Sequence, residues 1–308
     1  MLRFFFPSAN GSTELAAYRT ETNQPQALVQ ISHGMCEYFL RYEGFAEYLS
    51  ENGILVFGHD HLGHGNSAAD PKDLGFTVAG GGADALVEDV HALSLRMQEE
   101  YPSLPLVLFG HSMGSFIARD VIEKYGKDYT AAIICGTGGP NTPAGAGKIL
   151  AKLLMLLFGE RHRSKLLRSI AFMGYNKKFG KECDKNAWLT RDGAVVETYN
   201  ADPFCAYMFT LRAYHDLFTL VARVNRRDWA SAIPKDLPLL LISGAEDPVG
   251  AWGKGVRLVE KALQTADLSD MTTRLYPEMR HEILNEIDKE TVWKEILEWI
   301  SLKSKSQI

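Results

Sequence analysis

Apolar and polar positions along the chain switch between two rhythms. Short, mostly apolar runs read as buried strands, and between them apolar residues recur at every third or fourth position, the repeat of a helix with one buried face. Ala27–Ser32 (ALVQIS) predicts a strand ending in His33-Gly34. Tyr38–Asn52 predicts a helix with Phe39, Tyr42, Phe45, Ala46 and Leu49 on one side, closed by Gly53 as C-cap. Ile54–Gly58 is the next strand, and Ala83–Tyr101 the next helix, with Pro102 just beyond it. Then come a strand over Leu104–Phe109, a helix over Met113–Tyr125 and a strand over Ala131–Cys135. Strands alternating with helices in this way imply an α/β fold around a mostly parallel sheet.

From about Gly138 to about Trp229 that rhythm stops. Gly- and Pro-rich loops surround helical patterns such as Ile149–Phe158 (ILAKLLMLLF), and no β-run stands out. The alternation resumes with strands at Leu237–Ser243 and near Thr272–Tyr276 and a last helix over Thr291–Leu302. The expected organisation is therefore a core made of residues 1–137 and 230–308, with 138–229 inserted as a helical cap.

Composition narrows the class. The 308 residues are 46% hydrophobic and 23% charged with a net charge of -5, and like charges are not blocked together. Such a chain suits a globular protein and offers no basic stripe for nucleic acid. Four scattered cysteines (Cys36, Cys135, Cys183 and Cys205), with no CxxC pair, fit neither a disulfide framework nor a zinc site and point to a reduced, cytoplasmic setting. Phe4-Phe5-Phe6 is too short for a signal segment, and no apolar run approaches the ~20 residues of a membrane helix.

The chemistry centres on Gly110-His111-Ser112-Met113-Gly114. This G-x-S-x-G follows a strand and precedes a helix, the setting in which a serine is lifted on a sharp turn while small flanking residues avoid collision. A serine hydroxyl needs a base, and the base needs an orienting acid. The expected chain order is Ser, then Asp or Glu, then His. Asp247 follows the strand Leu237–Ser243, and His281 follows the strand near Thr272–Tyr276. Glu246 is the rival acid. The tetrahedral intermediate needs two N–H donors, assigned to the backbone of Met113 and, in His33-Gly34-Met35, of Met35.

Three segments together resemble the monoacylglycerol lipase and lysophospholipase branch of the α/β hydrolases: His33-Gly34-Met35-Cys36-Glu37-Tyr38 with Arg41-Tyr42, Asp60-His61-Leu62-Gly63-His64-Gly65-Asn66-Ser67, and the elbow around Ser112. The likeness continues through Trp188-Leu189-Thr190-Arg191-Asp192, Asp202-Pro203 and Arg280-His281-Glu282-Ile283-Leu284-Asn285-Glu286. The resemblance implies an α/β-hydrolase fold with its site under the cap. It also implies a small-molecule acyl-ester substrate, such as a monoacylglycerol or lysophospholipid, cleaved through an acyl-enzyme without metal or cofactor. A short-chain esterase, a thioesterase or an aminopeptidase would use the same triad.

Other features carry bland and sharp readings side by side. His59, His61 and His64 with Asp60 match no zinc spacing and read as a loop packed beneath the site. His111 reads as a structural hydrogen-bonder, and His162 and His215 as surface or cap residues. Cys36 and Cys205 read as buried small hydrophobes near the pocket. Ile149–Phe158 reads either as a helix packed on the core or as a lip that dips into a micelle or membrane surface, with Arg161, His162, Arg163 and Lys165 beside it.

Overall fold

A computed structural model describes residues 1–140, 144–180 and 182–305. Residues 141–143 and 181 of the expected cap, and 306–308 of the expected core, lie outside the described residues. The chain order is β1 (Leu2–Pro7), β2 (Glu14–Arg19), β3 (Ala27–Ser32), α1 (Glu43–Glu51), β4 (Ile54–His59), α2 (Ala83–Glu100), β5 (Leu106–His111), α3 (Met113–Tyr125), β6 (Ala131–Cys135), α4 (Ala144–Phe158), α5 (Lys165–Ala171), α6 (Gly193–Ala201), α7 (Leu211–Arg223), β7 (Leu239–Gly244), α8 (Lys254–Thr265), β8 (Met271–Tyr276) and α9 (Lys289–Lys305).

One eight-stranded sheet runs in the order β1-β2-β4-β3-β5-β6-β7-β8. From β4 to β8 every neighbouring pair is parallel. The sheet is mostly parallel, as expected, and the first two strands, which the sequence pattern does not mark, are its antiparallel part. β1 and β2 form an antiparallel hairpin, and β2 runs antiparallel to β4. Glu14–Arg19 (ELAAYR) has no strong strand propensity, so its strand state comes from pairing on both sides rather than from its own residues.

Strand pleating sends alternate side chains to opposite faces and gives the sheet two cores. In β5, Leu106 and Leu108 join the α2, α3 and α8 side, through residues such as Val90, Ile117 and Val259. Val107 and Phe109 join the α1 and α9 side, with Phe45, Leu49 and Ile296. Every residue of β3, β4, β5, β6 and β7 is buried. Each fully buried Val, Leu or Ile contributes about 1.5–3 kcal/mol, so these strands carry much of the stabilisation of the fold.

The helix expected over Tyr38–Asn52 is split. Tyr38 is extended, a single 3-10 turn covers Phe39–Tyr42, and α1 begins at Glu43. The chain between β6 and β7 carries α4 to α7 and, among the described residues, no strand. α4 packs along α7, with Gly147 tight against the Phe218 ring. Arg119 of α3, fully buried, binds both ends of this stretch. It donates to Gly138 O (3.1 Å) at the entry and to Val224 O and Asn225 Oδ1 at the exit, with its guanidinium over the Trp229 ring. Among the described residues, no helix is long and apolar enough to cross a membrane.

Candidate active site

The elbow at Ser112 is strained by construction. Ser112 lies at φ 54°, ψ -119° between β5 and α3, in a region costing a non-glycine residue about 1–3 kcal/mol. Its N–H donates to Cys135 O of β6 (3.0 Å). The flanking glycines make room for the turn: a Cβ at Gly114 would run into the carbonyls of Ser32 and His33, and one at Gly110 into the Gly114 carbonyl and the Ala118 methyl. α3 therefore starts pressed against the end of β3. A Cβ on Gly34 would stand 3.0 Å from Ser112 Cβ, so the loop after β3 runs directly beside the serine. The N–H groups of Met35 and Met113 both belong to this junction, and among the described residues neither has a hydrogen-bond acceptor.

Asp247 sits in the tight turn after β7 and His281 in the loop after β8. His281 Nδ1–H donates to Asp247 Oδ2 at 2.9 Å. The same oxygen accepts from Ser243 Oγ (3.0 Å), and Oδ1 accepts from Val249 N–H (2.8 Å). Burial alone would raise the Asp247 pKa; the His281 charge and hydrogen bond, with the Val249 and Ser243 donors, overcome it and lower it. His281 Nε2 is buried with no partner among the described residues, and His281 lines the same cavity as Ser112. Glu246, one residue earlier, turns away to Lys178 (3.1 Å).

Behind the site lies a network whose residues appear in the sequence only as parts of motifs. Glu37 accepts from the Gly34 N–H, from Tyr42 OH (2.7 Å) and from Arg41 (2.8 Å), and Arg41 also forks onto both oxygens of Glu282 at 2.7 Å. His111 faces Tyr42 OH through Nδ1 (2.9 Å) and His281 O through Nε2 (3.3 Å). Burial opposes charge on Glu37, yet the His111 hydrogen bond and Arg41 hold it well below the usual carboxylate range. Burial opposes charge on His111 too, but Glu37 raises it. A second connection joins the His281 loop to the segment before α6. Glu282 N–H donates to Leu189 O (2.7 Å), Glu286 accepts from the Arg191 N–H (3.1 Å) and side chain (2.9 Å), and the Trp188 ring lies 5.0 Å from the His281 ring.

The histidine-rich loop after β4 packs beneath. His33 donates from Nδ1 to Gly34 O (2.8 Å) and accepts the His61 N–H at Nε2 (2.9 Å). His61 contacts Ser32 Oγ and His59, and His64 Nδ1–H donates to Leu62 O. Burial lowers the pKa of all four rings, so they stay neutral. Asp60 accepts from the Phe39 and Asn66 N–H groups at 2.8 Å. Among the described residues no group of such side chains is arranged to hold a metal.

Above the serine opens a cavity of about 1120 Å³. Phe172, Tyr175, Trp188, Tyr214, Leu217 and Phe218, from the chain between β6 and β7, give it an apolar lining. Cys36 and Cys205 line it as buried free thiols. His162 stacks on Phe158, and His215 bonds to Arg212.

A sequence model of the family described as "serine aminopeptidase, S33" matches residues 23–288. The chain belongs to that family. This family member is 28% identical over 305 residues to the monoglyceride lipase of Homo sapiens, spanning 96% of this chain and 89% of that one. It is 27% identical over 285 residues to the monoacylglycerol lipase of Mycolicibacterium smegmatis, spanning 91% and 90%. A highly thermostable carboxyl esterase from Bacillus coagulans, solved in complex with glycerol, superposes with a TM-score of 0.91 at 29% identity, covering 97% of each chain. The S33 chain is thus a serine hydrolase of the α/β-hydrolase fold, similar to monoglyceride lipases.

Proposed function

We propose that Ser112, His281 and Asp247 form a catalytic triad that hydrolyses single-chain carboxylic esters, monoacylglycerol or lysophospholipid. The observation that carries this reading is His281: Nδ1 is held by a buried carboxylate, while Nε2 is unpartnered on the cavity that Ser112 also lines. Ser112 Oγ attacks the ester carbonyl and His281 Nε2 takes its proton. The N–H groups of Met35 and Met113 receive the oxyanion, each contributing about 3–4 kcal/mol to the transition state. The proton passes to the leaving alcohol. Water, deprotonated by His281, then releases the fatty acid and restores Ser112.

Residues 138–229 serve in this reading as the cap over the core of 1–137 and 230–308, and their aromatic and aliphatic side chains hold the acyl chain. An aminopeptidase is disfavoured, because among the described residues a substrate ammonium would meet no free carboxylate in the cavity: the acidic lining residues Glu37 and Glu282 are both bound to Arg41. The outer face of α4, with Leu156 77% and Leu157 75% exposed, is the surface through which the enzyme meets micelles or membranes. Free cysteines suit a cytoplasmic setting.

The test is kcat/KM across p-nitrophenyl esters from acetate to palmitate, then 1-monoacylglycerol, with Ser112→Ala as the blank. The expected result is a rise toward medium and long chains, cleavage of the glycerol ester, and a loss of about 10⁴-fold or more in the variant. A steep fall beyond butyrate with no glycerol ester cleaved would remove the lipid-ester reading, and an active Ser112→Ala would remove the site.

A further inference from the structure

The charge around the cavity is one-sided. Lys165 and Arg168 of α5, Lys177 and Lys185 from the turns that follow, and Lys254 of α8 all line it. Among the described residues the acidic members of the lining are Glu37 and Glu282, both engaged by Arg41. Among the described residues, none of these five cations forms an ion pair or a side-chain hydrogen bond. Elsewhere in the chain Arg161 pairs with Asp73, Arg191 with Glu286 and Asp288, Arg223 with Asp84 and Lys178 with Glu246, while surface cations such as Lys127, Lys148, Lys152, Arg227 and Lys261 stand unpaired among the described residues and scattered. A chain of net charge -5 thus gathers five unpaired positive groups around one opening.

Arg168 is the innermost of the set. It is half-buried, and it lines the same cavity as Cys36 on the loop after β3 and Tyr214 on α7. The four lysines are exposed. Arg163, which the sequence places in the same basic group, is not available, since it is turned onto the carbonyls of Met208, Lys72 and Leu74. Low-dielectric walls strengthen the field of the remaining cations over the opening. A guanidinium beside exposed ammonium groups, with no carboxylate in competition, suits phosphate oxygens.

We propose that the preferred substrate is an acyl ester whose alcohol half carries an anionic phosphate, an acylglycerol phosphate rather than a neutral acylglycerol. The proposal rests on ester hydrolysis at Ser112 and names the class of leaving alcohol. The acyl chain lies among Phe172, Tyr214, Leu217 and Phe218, and the phosphate sits among Arg168, Lys165 and Lys254. The acyl C–O bond breaks, one water is consumed, and the products are a fatty carboxylate, a proton and the alcohol with its phosphate intact.

The experiment compares kcat/KM for two esters with the same medium acyl chain, 1-acylglycerol and 1-acylglycerol 3-phosphate. Both are held below their critical micelle concentrations, without vesicles. The expected result is a preference of about tenfold or more for the phosphate ester, about 1.4 kcal/mol, carried by KM. Raising salt from about 0.05 to about 0.5 M should shrink the ratio. So should Arg168→Gln and, independently, the double variant Lys165→Gln with Lys254→Gln. A neutral ester cleaved equally well or better would overturn the proposal and leave ester hydrolysis standing. Cleavage of neither ester would overturn both. A preference seen only when anionic phosphatidylglycerol vesicles are added would assign the cations to a lipid surface and overturn the proposal as well.

Discussion

Ile133 and Ile149 are the same side chain in one continuous part of the chain, yet Ile133 is fully buried in β6 and Ile149 stands 64% exposed on α4. Charged groups divide in the same way. Beneath the serine, Glu37, Glu282 and Asp247 are buried, Arg41 is partly buried, and each is held by hydrogen bonds of 2.7–3.0 Å. Around the opening above it, Lys165, Lys177, Lys185 and Lys254 are exposed and unpaired. The floor answers the demands of folding, where buried polar groups must be satisfied and apolar ones packed. The helices above leave both kinds of group open, as a surface that meets a ligand does.

The sharpest way to break this contrast is at the floor. Asp247→Asn should lower kcat by about 10⁴-fold, because the amide favours the wrong imidazole tautomer, while Glu246→Gln, whose partner is Lys178, changes kcat little. Steady-state kinetics on one p-nitrophenyl ester decides, and the reverse ranking would move the acid to Glu246. Next in size is a pair of leucine truncations. Leu241→Ala in β7, fully buried, should cost about 2–5 kcal/mol in urea unfolding. Leu156→Ser with Leu157→Ser on α4 should stay within about 0.5 kcal/mol of wild type per site and slow turnover of a micellar ester about fivefold, from ~0.5 kcal/mol per leucine. Equal stability losses at the two places would erase the distinction.

Acid tests the floor alone. Burial lowers the pKa of His59 and His64 to about 3, and His33 and His61 shift the same way. The unfolded chain binds these protons near pH 6.5 and the folded chain only well below it, so stability is whole above ~6.5 and falls on acidification. The slope is on the order of 1.4 kcal/mol per pH unit for each ring. Asp89, raised by burial to about 6, and Asp60, also raised by burial, work the other way and offset part of the loss. Melting curves should therefore show Tm falling from about pH 6.5 to about pH 5, and a level or rising Tm would count against a neutral histidine floor.

The parts legible in the sequence were those whose signal is local. Met113–Tyr125 and Ala131–Cys135 begin and end where the pattern places them, because a strand, a glycine-flanked turn and an amphipathic helix follow one another without interruption. The strands before Ser112, Asp247 and His281 were visible for the same reason, so the ends that carry those residues were too. β1 and β2 were not visible, since one is a run of phenylalanines without alternation and the other is alanine-rich, and both depend on partners. Nor could the pattern show that Arg41 bridges Glu37 to Glu282, or that Arg191 meets Glu286. Charges far apart in the chain read as solvated until the fold brings them together.

One side chain has a consequence for how such enzymes diversify. β6 and β7 are neighbours in the sheet, and the helices between them leave and return where Arg119 binds Gly138 O and Val224 O. A segment whose two ends are pinned side by side by a residue of α3 behaves as a cassette. Its length and sequence can drift, or be exchanged by recombination, without disturbing the strand order or the turn at Ser112. New substrate tastes then arise by editing one continuous stretch of gene while the chemistry stays inherited.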